Sequence, residues 1–306
     1  MNGKISNFAQ VASLRRYRLE GGISDGIEVL DCDNGKLRFL LNLTKGCDVM
    51  QMYHEGQNVS FISKNGFTKR MPPFGNRFEG GMLYTCGLDN AGRREGYEMH
   101  GSFHSIPAEV TRAECSEEGI TVEALIRDTA LFGQNLVMKR RITSGIGDCH
   151  LHIEDTLLNA GYREENYCIL YHINVGYPLL DEGARIECDA EEYIACTPFA
   201  EEAADARFEI SDAVPNQPER CYYLTLREPK VALVTPKLGR AFRLSYSGDT
   251  LPYFLEWKSM GSGDYALGLE PCTTMLSGRF AYRTLAPGAS VRFTLDLAVE
   301  RLPATP

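Results

Sequence analysis

The feature that most constrains this chain is a succession of short runs in which apolar and polar residues alternate, separated by glycine-containing turns. Ile120-Thr121-Val122-Glu123-Ala124-Leu125-Ile126 is the clearest of them. Alternation with a period of two sends every second side chain to one face, the mark of a strand buried on one side only. Residues 136–142 and 151–157 follow the pattern less strictly, with a Ser144-Gly145-Ile146-Gly147-Asp148 turn between them. Residues 280–284 and 290–297 repeat it around a Pro287-Gly288 turn. Helical periodicity is weak. Residues 191–206 admit a turn or two of helix, with an interruption expected at Thr197-Pro198.

Short strands with frequent turns predict an all-β fold, a large sandwich rather than an α/β domain. Hydrophobic residues make up 43% of the 306, with 15 Tyr and 14 Phe, which suits a large core and argues against disorder. No linker tract or solenoid-length repeat divides the chain. Residues 1–306 are therefore expected to form one domain, with residues 1–20 as an N-terminal extension.

Forty-one acidic residues against 32 basic ones give a net charge of -9. Nucleic-acid binding of the sequence-independent kind needs a Lys/Arg surface, and anionic membranes select one too, so neither partner is expected. No apolar stretch approaches the ~20 residues of a membrane span, and residues 1–20 lack the apolar core of a secretory leader. A cytoplasmic protein, monomeric or homodimeric, with a small ligand is the expectation. The ten cysteines include no Cys-x-x-Cys pair and are expected to be reduced thiols.

Only six histidines occur, at 54, 100, 104, 150, 152 and 172. His150 and His152 would share one strand face, but no third ligand stands near them in sequence, so neither a metal nor another cofactor is expected. His100 and His104 flank Gly101-Ser102-Phe103, where the glycine permits close approach of backbone or ligand. His172 lies in the strand-like run Leu170-Tyr171-His172-Ile173-Asn174-Val175, and Glu270 ends the apolar run 265–269 just before Pro271. Taken singly, such residues are usually a hydrogen-bonded core histidine and a solvated strand-end carboxylate.

Taken in order, Gly75-Asn76-Arg77-Phe78, His100-Gly101, His172 followed by Asn174, and Leu269-Glu270-Pro271 form a series. The series resembles the aldose 1-epimerase (galactose mutarotase) family, over about residues 40 to 300. Residues 100–108 and 257–279 resemble more closely an uncharacterised, aldose-1-epimerase-like branch of that superfamily. The resemblance implies a galactose mutarotase-like β-supersandwich with an open sugar-binding cleft, and an isomerase whose partner is a small free sugar. It implies Glu270 as the base on the anomeric hydroxyl and His172 as the acid on the ring oxygen. It also implies Asn76, Arg77, His100, His104, Trp257 and Lys258 as sugar-binding residues. His172 and Glu270 are expected to face each other with room for a sugar ring between them. Tyr97, Phe103 and Tyr171 are further candidates for a stacking surface, and Lys258 is expected to partner Trp257 at the cleft rim. Two alternatives stand beside this: a binding protein without turnover, and an epimerase of phosphorylated or acidic sugars drawing on Arg77, Arg93, Arg94, Lys258 or Arg279.

Overall fold

In the computed structural model, which describes residues 3–276 and 278–303, the alternating runs become two antiparallel sheets. The first holds, in chain order, β1 (Ser13–Arg18), β2 (Glu28–Asp33), β3 (Leu37–Asn42), β4 (Asp48–His54) and β5 (Gln57–Asn58). The second begins with β6 (Leu83–Leu88), β7 (Glu109–Ser116), β8 (Gly119–Thr129), β9 (Asn135–Ser144), β10 (His150–Asn159) and β11 (Glu165–Gly176). It continues through β12 (Arg185–Ala195), β13 (Arg220–Thr235), β14 (Arg240–Tyr246) and β15 (Tyr253–Gly261). The strands β16 (Asp264–Cys272), β17 (Arg283–Leu285) and β18 (Ser290–Arg301) complete it. Its order is β17-β11-β16-β15-β13-β14-β18-β10-β9-β8-β7, with β12 paired to β13 and β6 to β11. Among the described residues, no helix is long and apolar enough to cross a membrane.

One hydrophobic cluster draws on both sheets, with Phe39 and Val49 from the first and Ile126, Met138 and Phe293 from the second. In β8 the buried apolar members are Ile120, Val122, Ala124 and Ile126, as the alternation demands, with Asp128 continuing the inward row. Alternation in β9 and β10 breaks at Arg140 and Asp155, which stand opposite each other in register and both point inward. Arg140 bonds Asp155 Oδ2 at 2.7 Å and Asp48 Oδ1 of β4 at 2.6 Å, so one buried guanidinium joins the two sheets. It also donates to Thr85 Oγ1 and to the Gly46 carbonyl, each at 2.9 Å.

Three expectations change. The stretch expected as an extension supplies β1, which pairs with β2 as a sheet edge. Its outward Arg16 and Arg18 bond Glu28, and a strand so charged shows little apolar alternation. Residues 191–195 belong to β12, and Thr197-Pro198 starts a helix rather than interrupting one. The Thr197 hydroxyl accepts from Ala200 N at 3.1 Å and Pro198 opens α1 (Pro198–Glu202), since proline's missing N–H is no loss in the first turn. Of residues 280–284, only the last two join β17, because Phe280 and Tyr282 turn to grip Arg94.

Candidate active site

Strands β11, β16, β15 and β13 lie side by side, with one face on the main core and the other flooring a cleft of ≈ 630 Å³. Alternation decides which residues reach it. On β15, Leu255 and Trp257 face the cleft, whereas Glu256 and Lys258 are fully buried on the far side. On β13, Cys221 and Tyr223 face the cleft. The β11–β16 register sets Ile173 opposite Leu269, and so brings His172 beside Glu270.

His172 Nε2 lies 3.2 Å from Glu270 Oε1. No sugar ring fits between them, which corrects the expectation of a pair facing each other across the ligand. Side-by-side placement follows from their being direct neighbours on paired antiparallel strands. Glu270 Oε1 and His172 Nδ1 are buried, and apart from the contact of Oε1 with His172 Nε2 neither makes a hydrogen bond. Buried polar atoms are nearly always satisfied, so such orphans at the floor of a cleft point to a ligand's polar groups. Gly268, two residues before Glu270 on the same face, makes the space. A Cβ there would collide with Glu270 Oε1 and stand 3.1 Å from His172 Cε1.

Rings enclose the imidazole: Phe78 and Trp257 at 5.4 Å between centroids and His100 at 5.7 Å. Burial in this apolar setting, with His100 nearby, holds the His172 pKa well below the ordinary imidazole value. Burial, and secondarily the Glu219 carboxylate, pushes Glu270 well above the usual carboxylate range. Both effects favour a neutral pair that carries one proton between its facing atoms.

His100 is held on three sides. Its backbone N–H donates to the Gly92 carbonyl, its carbonyl accepts from Gly87 N, and its Nδ1 accepts from Gly92 N at 3.3 Å. With Nδ1 an acceptor, the neutral ring carries its proton on Nε2, free to donate. Gly101 lets the chain pass, because a Cβ there would strike the carbonyl oxygens of Gly87 and Asn90. Burial lowers the His100 pKa to about 4. The unfolded chain therefore takes up this proton near the ordinary ~6.5 and the folded protein only near 4, so acid weakens the fold across that window. The penalty at the low end approaches about 3 kcal/mol. Unfolding free energies measured between pH 7 and 4 should fall less steeply for His100→Gln than for the parent, and identical slopes would refute this assignment.

Of the residues expected in the site, His172, Glu270, His100 and Trp257 line one cleft. Asn76, Arg77, His104 and Lys258 do not reach it. Lys258 is buried against Glu256 at 3.3 Å and donates to the carbonyls of Arg207 and Glu209. The partner of Trp257 is instead Glu219, whose Oε2 accepts the indole N–H at 2.8 Å. Arg77 is buried and pairs with Glu98 at 2.9 Å, and Asn76 is exposed, so the segment 74–78 offers the cleft Phe74 and Phe78. His104 is buried in a stack on Tyr84, 4.2 Å between centroids, and burial drives its pKa down to about 2. Tyr171 and Phe103 are core residues, and Tyr97 lies outside the cleft under the Arg94 guanidinium. Sequence reasoning missed Glu219, Tyr223, Phe74 and Phe78. The alternation through Glu219, Cys221 and Tyr223 was the available signal.

All ten cysteines are free thiols, although only half are buried. His152 bonds Asp296 through Nδ1 at 2.9 Å, while His150 groups with Asp148 and Cys149, their ligand atoms within 4.8 Å of one another. Neither histidine lines the cleft.

The fold has well-defined relatives. A candidate aldose 1-epimerase of Klebsiella pneumoniae superposes with a TM-score of 0.85 over 96% of this chain and 86% of that one, at 20% identity. A galactose mutarotase-like protein of Clostridium acetobutylicum gives 0.73 over 96% and 100%, at 14% identity. One from Lactobacillus casei gives 0.60 over 89% and 100%, at 14% identity. At these identities the likeness establishes a galactose mutarotase-like β-sandwich and nothing finer. No curated protein sequence matches the chain. Residues 24–299 match the family model described as a domain of unknown function, DUF4432, and the chain belongs to that family.

Proposed function

We propose that the protein is an isomerase of the aldose 1-epimerase type, binding a free sugar in this cleft and interconverting its anomers. The observation that carries the reading is the contact pair His172–Glu270, with its otherwise unpartnered polar atoms at the cleft floor. Anomer exchange acts on two oxygens bonded to the same carbon, so an acid and a base standing side by side suit it better than a separated pair. With the pair's proton drawn onto His172, Glu270 takes the proton of the anomeric hydroxyl while His172 protonates the ring oxygen. The bond from C1 to the ring oxygen breaks, C1 becomes a carbonyl, and the opened chain rotates and recloses on either face. The proton count is unchanged at the end, so the chemistry asks for one proton in the pair and nothing else. A sugar hydroxyl bonding Glu270 Oε1 would stabilise its carboxylate form and so favour the base role. His100, through Nε2–H, binds a sugar oxygen, and Trp257, Phe74 and Phe78 offer apolar faces to the ring.

The test is exchange NMR on a panel of free aldoses, which should show α and β forms interconverting faster than in buffer. Because Glu270 is raised and His172 lowered, the pair keeps its single proton across neutral pH. The pH profile of kcat/KM should therefore run flat through ~6.5, where an ordinary histidine titrates. Sugar binding without faster exchange would leave a binding protein in place of an enzyme.

A further inference from the structure

Resting on this reading of the cleft, we propose that its sugar carries an anionic group, a phosphate, carboxylate or sulfonate, held at the rim by Arg93 and Arg279. Both arginines are exposed and both line the cleft. Among the described residues neither makes an ion pair, unlike the exposed Arg112, Arg163, Arg227 and Arg292, which each meet a carboxylate; Arg15, Arg70 and Arg283 are also exposed and unpaired, but they do not line the cleft. What sets Arg93 and Arg279 apart is their place: two guanidiniums without a carboxylate partner line the same cleft, in a chain of net charge -9.

The loops that carry them are tied to each other. Arg94, next to Arg93, lies over the rings of Tyr97 and Phe280 at 4.1 and 4.5 Å and donates to Tyr282 Oη at 2.8 Å. Tyr282 in turn donates to the Asp89 carbonyl at 2.7 Å. This clasp binds the loop bearing Arg93 to the loop bearing Arg279, one residue before Phe280. Two like charges lining one cleft repel, and an anion that both reach converts that cost into recognition. Guanidinium forks match the paired oxygens of phosphate and carboxylate. The cleft's rim carboxylate, Glu219, is tied to Trp257 and stands beside the Glu270 side of the floor. Of the basic residues considered from sequence, Arg77, Arg94 and Lys258 are committed to partners away from the ligand space.

Exchange rates should be measured on glucose, glucose 6-phosphate and glucuronate, with calorimetric binding of the same three sugars. A charged sugar should be favoured by about 10- to 100-fold in kcat/KM, the range expected of charge-assisted hydrogen bonds. Added salt and the double change Arg93→Gln, Arg279→Gln should both lower that ratio. The two charged sugars differ in the reach and shape of the anion, so comparing them separates phosphate from carboxylate. Equal kcat/KM on charged and neutral sugars, unmoved by the double change, would overturn the anionic class while leaving the epimerase reading intact. Tight binding of glucose 6-phosphate, lost in the double variant and unaccompanied by exchange, would keep the anion site and remove the epimerase. Absence of both binding and exchange would sink the two together.

Discussion

Glu270→Gln should slow anomer exchange by about 100- to 10,000-fold, the contribution typical of one general acid–base group. The amide keeps the shape of the carboxyl group but cannot accept the anomeric proton at neutral pH. His172→Asn should produce a loss of the same order by removing the acid on the ring oxygen. What distinguishes a catalytic from a structural role is stability. Glu270 is buried with an oxygen that meets only His172, and burial disfavours its charged form. Replacing it with a neutral amide should therefore leave the thermal midpoint unchanged or raise it, as expected where a site holds a group at some expense to the fold. The two changes should also combine non-additively, because either one alone breaks the shared proton pair. Exchange NMR of each variant on the best parent substrate, with melting curves alongside, reads both quantities. Parent-level exchange in either variant would refute the mechanism. A large fall in melting temperature with Glu270→Gln would return that residue to the core.

Strand alternation made the architecture readable from sequence, and it failed in an instructive way. Residues 120–126 were clear because each buried position, Ile120, Val122, Ala124 and Ile126, is apolar. Residues 136–142 and 151–157 looked imperfect because Arg140 and Asp155 occupy inward positions. Those blemishes are the buried link between the sheets, a polar pair that no single strand can announce. The same rule of alternate faces placed Trp257 in the cleft and Lys258 behind it, so treating the two as one rim feature ignored the pleat. Short motifs marked the right neighbourhoods more reliably than the right side chains. The segment 74–78 does border the cleft, but through its phenylalanines, while its arginine turns under the wall to Glu98. Alternation could have aimed Glu219 at the cleft, but its meeting with Trp257 was invisible because it depends on the β13–β15 pairing, 38 residues apart in the chain.

Arg140→Met should destabilise the fold by about 3–5 kcal/mol, the cost of breaking a buried ion pair from one side. The guanidinium is fully buried and faces two carboxylates, Asp48 and Asp155. Tyr171 also donates to Asp155 at 2.8 Å, and the Thr85 N–H and hydroxyl donate to Asp48 at 2.8 and 2.6 Å. Methionine fills much of the space but leaves both acids without their countercharge, and the neutral donors of Thr85 and Tyr171 cannot replace it. Because Asp48 belongs to the five-stranded sheet and Asp155 to the larger one, the loss falls on their joint packing. The deficit should also depend on pH in a known direction. Burial already raises the Asp48 pKa even with Arg140 present, and removing the cation raises it further. The folded variant then binds a proton that the unfolded chain releases above ~3.9, so its stability falls as pH rises through that widened window. Denaturant unfolding of the parent and Arg140→Met should thus show a larger gap at pH 8 than at pH 5. Replacing Arg140, Asp48 and Asp155 together with apolar residues of similar size should recover much of the loss, as buried ionic triads elsewhere allow. A loss below about 1 kcal/mol for Arg140→Met, or a gap that widens toward acid, would show that the two sheets are held together by apolar packing alone.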